Sequence, residues 1–283
     1  MYVSAFMIFG LIGATLLIAG DAYRLHRFCW AAPVLILFLL LSQPALSLLP
    51  SVSYDYVLFG ADARLGYHFG LGRLFAGWMA IHLVYSMLPL AVAFVYSTLD
   101  RERTRLGLVM LLAGVAAPLY YAACPAAGPL YVFGDAFPFH PPVLKAALPF
   151  DAPGLTMNAV PSGHLAWAML LAWHSRPGLP GVRIFAWLFL LGTAVVTLAT
   201  GEHYLVDLVG SVPFAVAVDA VVGRRWLSAV SCAALTLGWS LALRAGLVGA
   251  VPSLVAIPWA IATVLAPLVL HSRSGFSGSD AVR

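Results

Sequence analysis

The sequence predicts an all-α fold, a polytopic membrane helical bundle of about nine spans. Three observations carry that expectation. The 283-residue chain is 62% hydrophobic and only 9% charged, with a mean hydropathy of +0.95, whereas soluble domains run about 45–50% apolar and about 25% charged. Apolar stretches of about 20 residues, enough to cross the hydrocarbon core, recur along the whole length. The arginines gather in alternate connections, as the positive-inside rule asks of a chain that crosses repeatedly. The net charge of +4 is distributed over those connections rather than gathered in a nucleic-acid footprint, so no nucleic-acid partner is expected. Cys29, Cys124 and Cys232 lie in or beside apolar runs without CxxC spacing, which implies neither a disulfide framework nor a metal site.

Residues 2–20 lack a basic opening and no A-x-A-like site follows them, so they read as a first span rather than a cleaved leader. Residues 29–50 form the second span. The segment 51–74, SVSYDYVLFGADARLGYHFGLGRL, is too polar to cross; its aromatic and leucine residues around Asp55, Asp62 and Arg64 suit a helix lying in the membrane interface. Spans 75–98 and 106–123 follow, and then a proline-rich loop, 124–161, too long to serve only as a connection. The span at 163–175 is short and draws on the loop before it. Spans 182–200, 203–222, 226–243 and 248–271 complete the set, and the tail SRSGFSGSDAVR reads as disorder.

Arg24, Arg27, Arg101, Arg103, Arg105, Arg176, Arg183, Arg224, Arg225, Arg273 and Arg283 then fall on one side, against Arg64, Arg73, Lys145 and Arg244 on the other. That asymmetry places the N-terminus outside and the C-terminus inside. The expected organisation is N-terminal spans over 1–50, a membrane core over 51–222, and C-terminal spans with a short tail over 223–283.

Two polar stretches interrupt the outer side. One is PSGH, residues 161–164, at the mouth of an apolar helix; the other is GEHYLVDLVG, residues 201–210, opening a later span. Both helices start at the outer face, so His164 and His203 sit at similar depth. His203 and Asp207 are four apart, on one helix face, where the carboxylate can accept the imidazole N–H and fix its tautomer. An intramembrane aspartate costs at least about 2.5 kcal/mol unless it is paired, which gives the pairing an energetic reason. A helix beginning at Pro161–Ser162 points unpaired N–H groups outward and forms an anion site. Gly163 permits close approach there, and the Ser162 hydroxyl adds a donor. Two histidines beside such a site can divide phosphoryl transfer between them. One attacks phosphorus and the other protonates the leaving oxygen, through a phosphohistidine that requires no metal and no cofactor.

PSGH followed by H-x-x-x-D at the head of a later helix resembles the type-2 phosphatidic acid phosphatase and haloperoxidase superfamily. The resemblance implies a six-helix core with His203 as nucleophile, Asp207 as its orienting partner and His164 as acid. Where that family carries a Ser-Arg pair before the second histidine, this chain has Val196 and Thr197, and the early lysine followed by Arg-Pro has no counterpart. With YDYVLFGADARLG, YYAACPAAGPLYVFGDAFP and LATGEHYLVDLVG, the chain is similar to the inositol phosphorylceramide synthase branch, over roughly residues 50–215. That branch implies transfer of a phospho-headgroup from a membrane lipid donor to an alcohol; water as acceptor would make a lipid phosphate or isoprenyl diphosphate phosphatase. The missing arginine calls for replacements. Lys145 comes first, then Arg64 or Arg73, with Tyr131 and Tyr204 as hydroxyl donors.

Structural alternatives stand beside each of these readings. His164 can be a helix-mouth histidine bonded to a neighbour, and His203 with Asp207 a polar pair locking two spans. His164, His203 and Asp207 fall short of a convincing metal set. Pro125, Gly128 and Pro129 read as a loop turn, Glu202 as a solvated cap, and Lys145 as a snorkelling loop lysine. His68, His82, His140 and His174 have no partner at useful spacing, and Asp219 has no assigned role. A non-catalytic transporter or scaffold would be expected to carry mid-membrane ionisable residues or broken helices, which most spans here lack. A haloperoxidase would need the absent arginines. The expected location is the plasma (inner) membrane, with the site on the extracytoplasmic side.

Overall fold

The computed structural model describes residues 51–76, 80–99, 102–140 and 148–275. In chain order its helices are α1 (Asp55–Arg64), α2 (Gly70–Leu74), α3 (Ala80–Ser86), α4 (Leu88–Thr98), α5 (Arg103–Ala123), α6 (Pro129–Phe133), α7 (Gly163–His174), α8 (Pro180–Ala199), α9 (Leu205–Val222), α10 (Trp226–Arg244), α11 (Leu247–Ala250) and α12 (Ser253–Gly275). Extended structure among the described residues is one short antiparallel pairing, β1 (Val52–Ser53) with β2 (Phe150–Asp151), in which Val52 stands opposite Asp151. It ties the entry to α1 to the long loop.

Among the described residues, five helices are long and apolar enough to cross a membrane: α5, α8, α9, α10 and α12. The expectation of nine spans and a six-helix core is therefore met only in part. The spans expected at 2–20 and 29–50 lie outside the described residues. The span expected at 75–98 is divided: α3 ends at Ser86, and α4 begins at Leu88 with Pro89 in its first turn. Proline has no N–H to continue the preceding helix and suits the start of a new one. The span expected at 163–175 is a 12-residue helix, too short to cross alone.

Exposed leucines such as Leu119, Leu188, Leu191 and Leu254 cover the outside of the bundle, where a lipid surround makes them inexpensive. Helix α9 lies at the centre and is the most buried of the five long helices; α7, α10 and α12 pack along it. In lipid the drive for such packing is close contact rather than water release, and small residues permit it. Ala166, Ala168, Ala172 and Ala215 are wholly buried, and a Cβ at Gly210 would come within 3.0 Å of the Trp239 ring. Two hydrogen bonds add polar fastening: Ser211 Oγ donates to the Ser162 carbonyl at 3.0 Å and Trp239 Nε1 to the Val206 carbonyl at 2.9 Å.

A second apolar cluster sits at the end where α7 and α9 begin. It joins Leu58 and Phe59 of α1 to Phe69, Val160, Tyr204, Trp239 and Leu243. Helix α1 is therefore packed into the protein rather than laid out on its surface. Asp55, Val57, Leu58, Phe59, Ala61 and Asp62 are buried, because the two carboxylates find backbone N–H partners inside the fold.

A polar cluster closes the opposite end. Asp219 of α9 accepts from His174 Nε2 at 3.0 Å and from Arg225, with His271 at 3.3 Å and Arg105 at 3.5 Å. His174, expected to be partnerless, thus has a partner 45 residues away, and Asp219 acquires a role in joining α5, α7, α9 and α12.

Candidate active site

Helix α7 starts where the backbone at Ser162 is extended, and the Ser162 hydroxyl accepts the Leu165 N–H at 3.3 Å as its N-cap. That bond uses an oxygen lone pair and leaves the O–H proton, foreseen as a phosphate donor, still able to donate. Among the described residues the N–H groups of Gly163 and His164 have no acceptor, as the first turn of a helix leaves them. A Cβ at Gly163 would sit 3.0 Å from the Tyr121 hydroxyl, so glycine is what allows α5 to come up against this turn. The His164 ring stacks on Tyr85, with centroids 3.8 Å apart and planes at 20°, and its Nε2 is buried without a hydrogen-bond partner.

Helix α9 begins at Leu205, so His203 stands in the turn before it rather than on its first turn. Its partners differ accordingly from those the i, i+4 spacing suggests. His203 Nδ1 lies 3.0 Å from the Ala159 carbonyl and 3.5 Å from Asp207 Oδ2. A carbonyl can only accept, so Nδ1 carries the proton and Nε2 keeps its lone pair. Asp207 Oδ2 accepts the Tyr204 N–H at 2.8 Å, while its Oδ1 is buried and unpartnered. Orientation of His203 is thus shared between a main-chain carbonyl and the aspartate.

The two helix N-termini differ in a way the sequence did not reveal. At α9, carboxylates take every leading N–H: Asp207 binds that of Tyr204, and Asp62 binds those of Leu205 and Val206 at 2.9 and 3.0 Å. That terminus is closed to an external anion. At α7 the N–H groups of Gly163 and His164 stay open.

Glu202, expected as a solvated cap, is buried and accepts from the Tyr131 hydroxyl at 2.7 Å. The packing of α6 against the 201–203 turn removes it from solvent. Leu130 N–H donates to the Gly201 carbonyl at 2.8 Å, and Gly128, at φ +106°, has no room for a Cβ, which would lie 2.3 Å from the Glu202 carbonyl. Burial pushes the Glu202 carboxyl up, opposed by the Tyr131 hydrogen bond and by His203. Burial likewise pushes the His203 imidazole down, to about 4, offset in part by Glu202 and the Ala159 carbonyl. His203 is therefore neutral near pH 7, and its free nitrogen is a competent nucleophile.

The structure brings His164, His203, Asp207, Ser162, Gly163 and Tyr131 to one end of the bundle. The other candidates go elsewhere or undescribed. Tyr204 is wholly buried in the second apolar cluster, beside Asp55. Arg64 donates to the Gly249 carbonyl at 2.8 Å and Arg73 to the His68 carbonyl. Lys145 lies outside the described residues. Thr197, where the family pattern has arginine, is buried and donates to the Thr193 carbonyl at 2.9 Å. Sequence reasoning passed over Tyr85, Tyr121, Glu202 and the Ala159 carbonyl. Glu202 had a signal in its adjacency to His203; the others join the site only through tertiary packing. No group of three or more metal-ligating side chains forms among the described residues.

Comparison with protein families matches residues 71–221, more than half of the chain, to the PAP2 superfamily. Comparison with curated proteins and with solved structures gives no match.

Proposed function

The chain belongs to the PAP2 superfamily, whose members are generally phosphatases or phosphotransferases, and on that premise we propose that it is a membrane phosphotransferase acting on a lipid phosphate or phospho-headgroup through a phosphohistidine. One observation carries the reading. The Ala159 carbonyl holds the proton on His203 Nδ1, leaving Nε2 as the nucleophile, and the His203 ring acts electrostatically on His164, whose own Nε2 is buried and unpartnered at the open first turn of α7.

In the first half-reaction His203 Nε2 forms a bond to phosphorus as the bond to the leaving oxygen breaks, and His164, entering the step as its imidazolium, gives that oxygen its proton and becomes neutral. Asp207 offsets the charge that develops on the imidazole. In the second half, an acceptor hydroxyl loses its proton to His164 as its oxygen takes the phosphoryl group from His203. The N–H groups of Gly163 and His164 hold the phosphoryl oxygens. Lys145 is the cation we assign to the same anion.

An alcohol acceptor is favoured because YDYVLFGADARLG, YYAACPAAGPLYVFGDAFP and LATGEHYLVDLVG are similar to the inositol phosphorylceramide synthase-like branch. Water in that place would make the chain a lipid phosphate or isoprenyl diphosphate phosphatase. The site faces the extracytoplasmic side in this reading, because Arg103, Arg105, Arg176, Arg183, Arg224 and Arg225 all belong to the opposite helix ends.

The test is purified protein in liposomes with labelled lipid phosphates and phospholipids, following free phosphate and new labelled lipid, with His203→Ala as control. New lipid that requires an added alcohol and is lost in the control supports transfer. Phosphate release without it makes the protein a phosphatase, and activity that survives in the control removes His203 from the mechanism.

A further inference from the structure

Helix α1 carries two buried carboxylates seven residues apart, hence on one face, and each grips a different loop of the site. Asp55 accepts the N–H groups of Ala127 and Gly128 at 2.9 and 2.8 Å, and also the Ser53 hydroxyl. Asp62 accepts those of Leu205 and Val206, one on each oxygen. The second grip falls immediately after His203–Tyr204. It meets an element 143 residues away in sequence, and it is wholly buried.

We propose that Asp62 is a positioning residue for His203: by holding the first two N–H groups of α9 it fixes the turn in which His203 Nδ1 reaches the Ala159 carbonyl, and so determines which imidazole nitrogen faces phosphorus. Asp207 cannot do this alone. Its Oδ2 already serves the Tyr204 N–H, and it lies on the same helix whose start must be located relative to Ala159. The anchor has to come from a different element, and Asp62 supplies it from α1. The cost of a buried carboxylate is offset by its two charge-assisted hydrogen bonds and by the positive end of the α9 dipole.

The inference rests on His203 as the nucleophile, so its test reads the histidine first without any substrate. Nitrogen-15 spectra of histidine-labelled full-length protein, with the His203 signal assigned by difference against His203→Ala, report the tautomer directly. The wild-type protein should show a single Nδ1–H form at pH 7. Asp62→Asn keeps the shape but turns an amide NH2 toward a backbone N–H, and should give a mixture of tautomers. Leu205→Pro deletes one donor while leaving a favoured first-turn proline, since Tyr204 before it already has φ −83° and ψ 160°; it should do the same even if Asp62→Asn fails to fold. Asp219→Asn, equally buried at the far end, should leave the His203 signal unmoved.

With labelled phosphatidic acid in phosphatidylcholine vesicles, Asp62→Asn should slow phosphohistidine formation about tenfold or more with KM changed less than about threefold, the pattern of lost transition-state alignment. A His203 signal unchanged in both α9-anchor variants overturns the proposal. So does an equal disturbance in Asp219→Asn, which would mean general loosening. A phosphoprotein that survives His203→Ala overturns the underlying reading instead, and leaves the tautomer result standing on its own.

Discussion

At the scale of the residue, the proposed chemistry turns on what His203 Nδ1 touches. Its nearest acceptor is the Ala159 carbonyl at 3.0 Å, with Asp207 at 3.5 Å. Asp207→Asn should therefore lower single-turnover transfer by about 10²-fold, short of the roughly 10⁴-fold loss where a carboxylate alone orients the base. Undiminished transfer would remove Asp207 from the mechanism. His203→Ala should abolish an acid-labile phosphoprotein, and His164→Ala should slow its formation. The pH dependence follows from burial. The imidazole of His203 is pushed down to about 4, so the neutral nucleophile is present above that value and is lost as pH falls through it. The acid limb of kcat/KM should accordingly lie well below the ordinary histidine value of about 6.5. The nearby Glu202 charge raises the His203 value, so Glu202→Gln should move that limb to still lower pH. A limb near 6.5 in both proteins would mean that His203 is solvated in the working enzyme.

At the scale of the element, the two helix N-termini at the site have opposite assignments. Carboxylates from Asp62 and Asp207 close α9, whereas α7 leaves the Gly163 and His164 N–H groups open. Gly163→Ala would bring a Cβ to 3.0 Å from the Tyr121 hydroxyl, displacing the turn from α5. We expect weaker phosphate binding with little change in thermal unfolding, measured by inorganic phosphate inhibition. Gly128→Ala should act differently. Its backbone is in a conformation that suits only glycine, and the added Cβ would meet the Glu202 carbonyl at 2.3 Å. A stability loss of about 1–3 kcal/mol is expected, together with release of the Tyr131–Glu202 pair. Unfolding of the variant at the parental temperature would contradict that packing. The helices themselves are readable in sequence because twenty-odd apolar residues leave few alternatives in lipid. The Met87 break and the placement of α1 are not readable in that way. The first depends on where one proline falls in a continuous apolar run, and the second on backbone partners supplied by distant segments.

At the scale of the whole molecule, the buried acidic, basic and histidine side chains among the described residues gather at the two ends of an apolar bundle. One end holds His164 and His203; the other holds Asp219 with His174, Arg105, Arg225 and His271. If the positive end is cytoplasmic, a single cysteine at Tyr131, which is 45% exposed, should react with a membrane-impermeant maleimide from outside intact cells, and one at Arg176 should not. The reverse labelling would invert the topology and place the site on the cytoplasmic side. Sequence alone determined that the chain is a helical membrane protein and which two motifs are its candidates for chemistry, because hydropathy and short spacings are local properties of the chain. Only the tertiary structure decided which atoms those motifs meet. Ala159 and Tyr85 reach the histidines, and Asp62 the helix start beside His203, through folding that joins segments up to 144 residues apart, and a buried carboxylate or carbonyl acquires its partner from whichever backbone the packing brings within reach. For that reason Arg64 and Arg73, both plausible by composition, donate to main-chain carbonyls elsewhere, and an aspartate that reads as part of an interfacial helix comes to hold the turn of the proposed nucleophile.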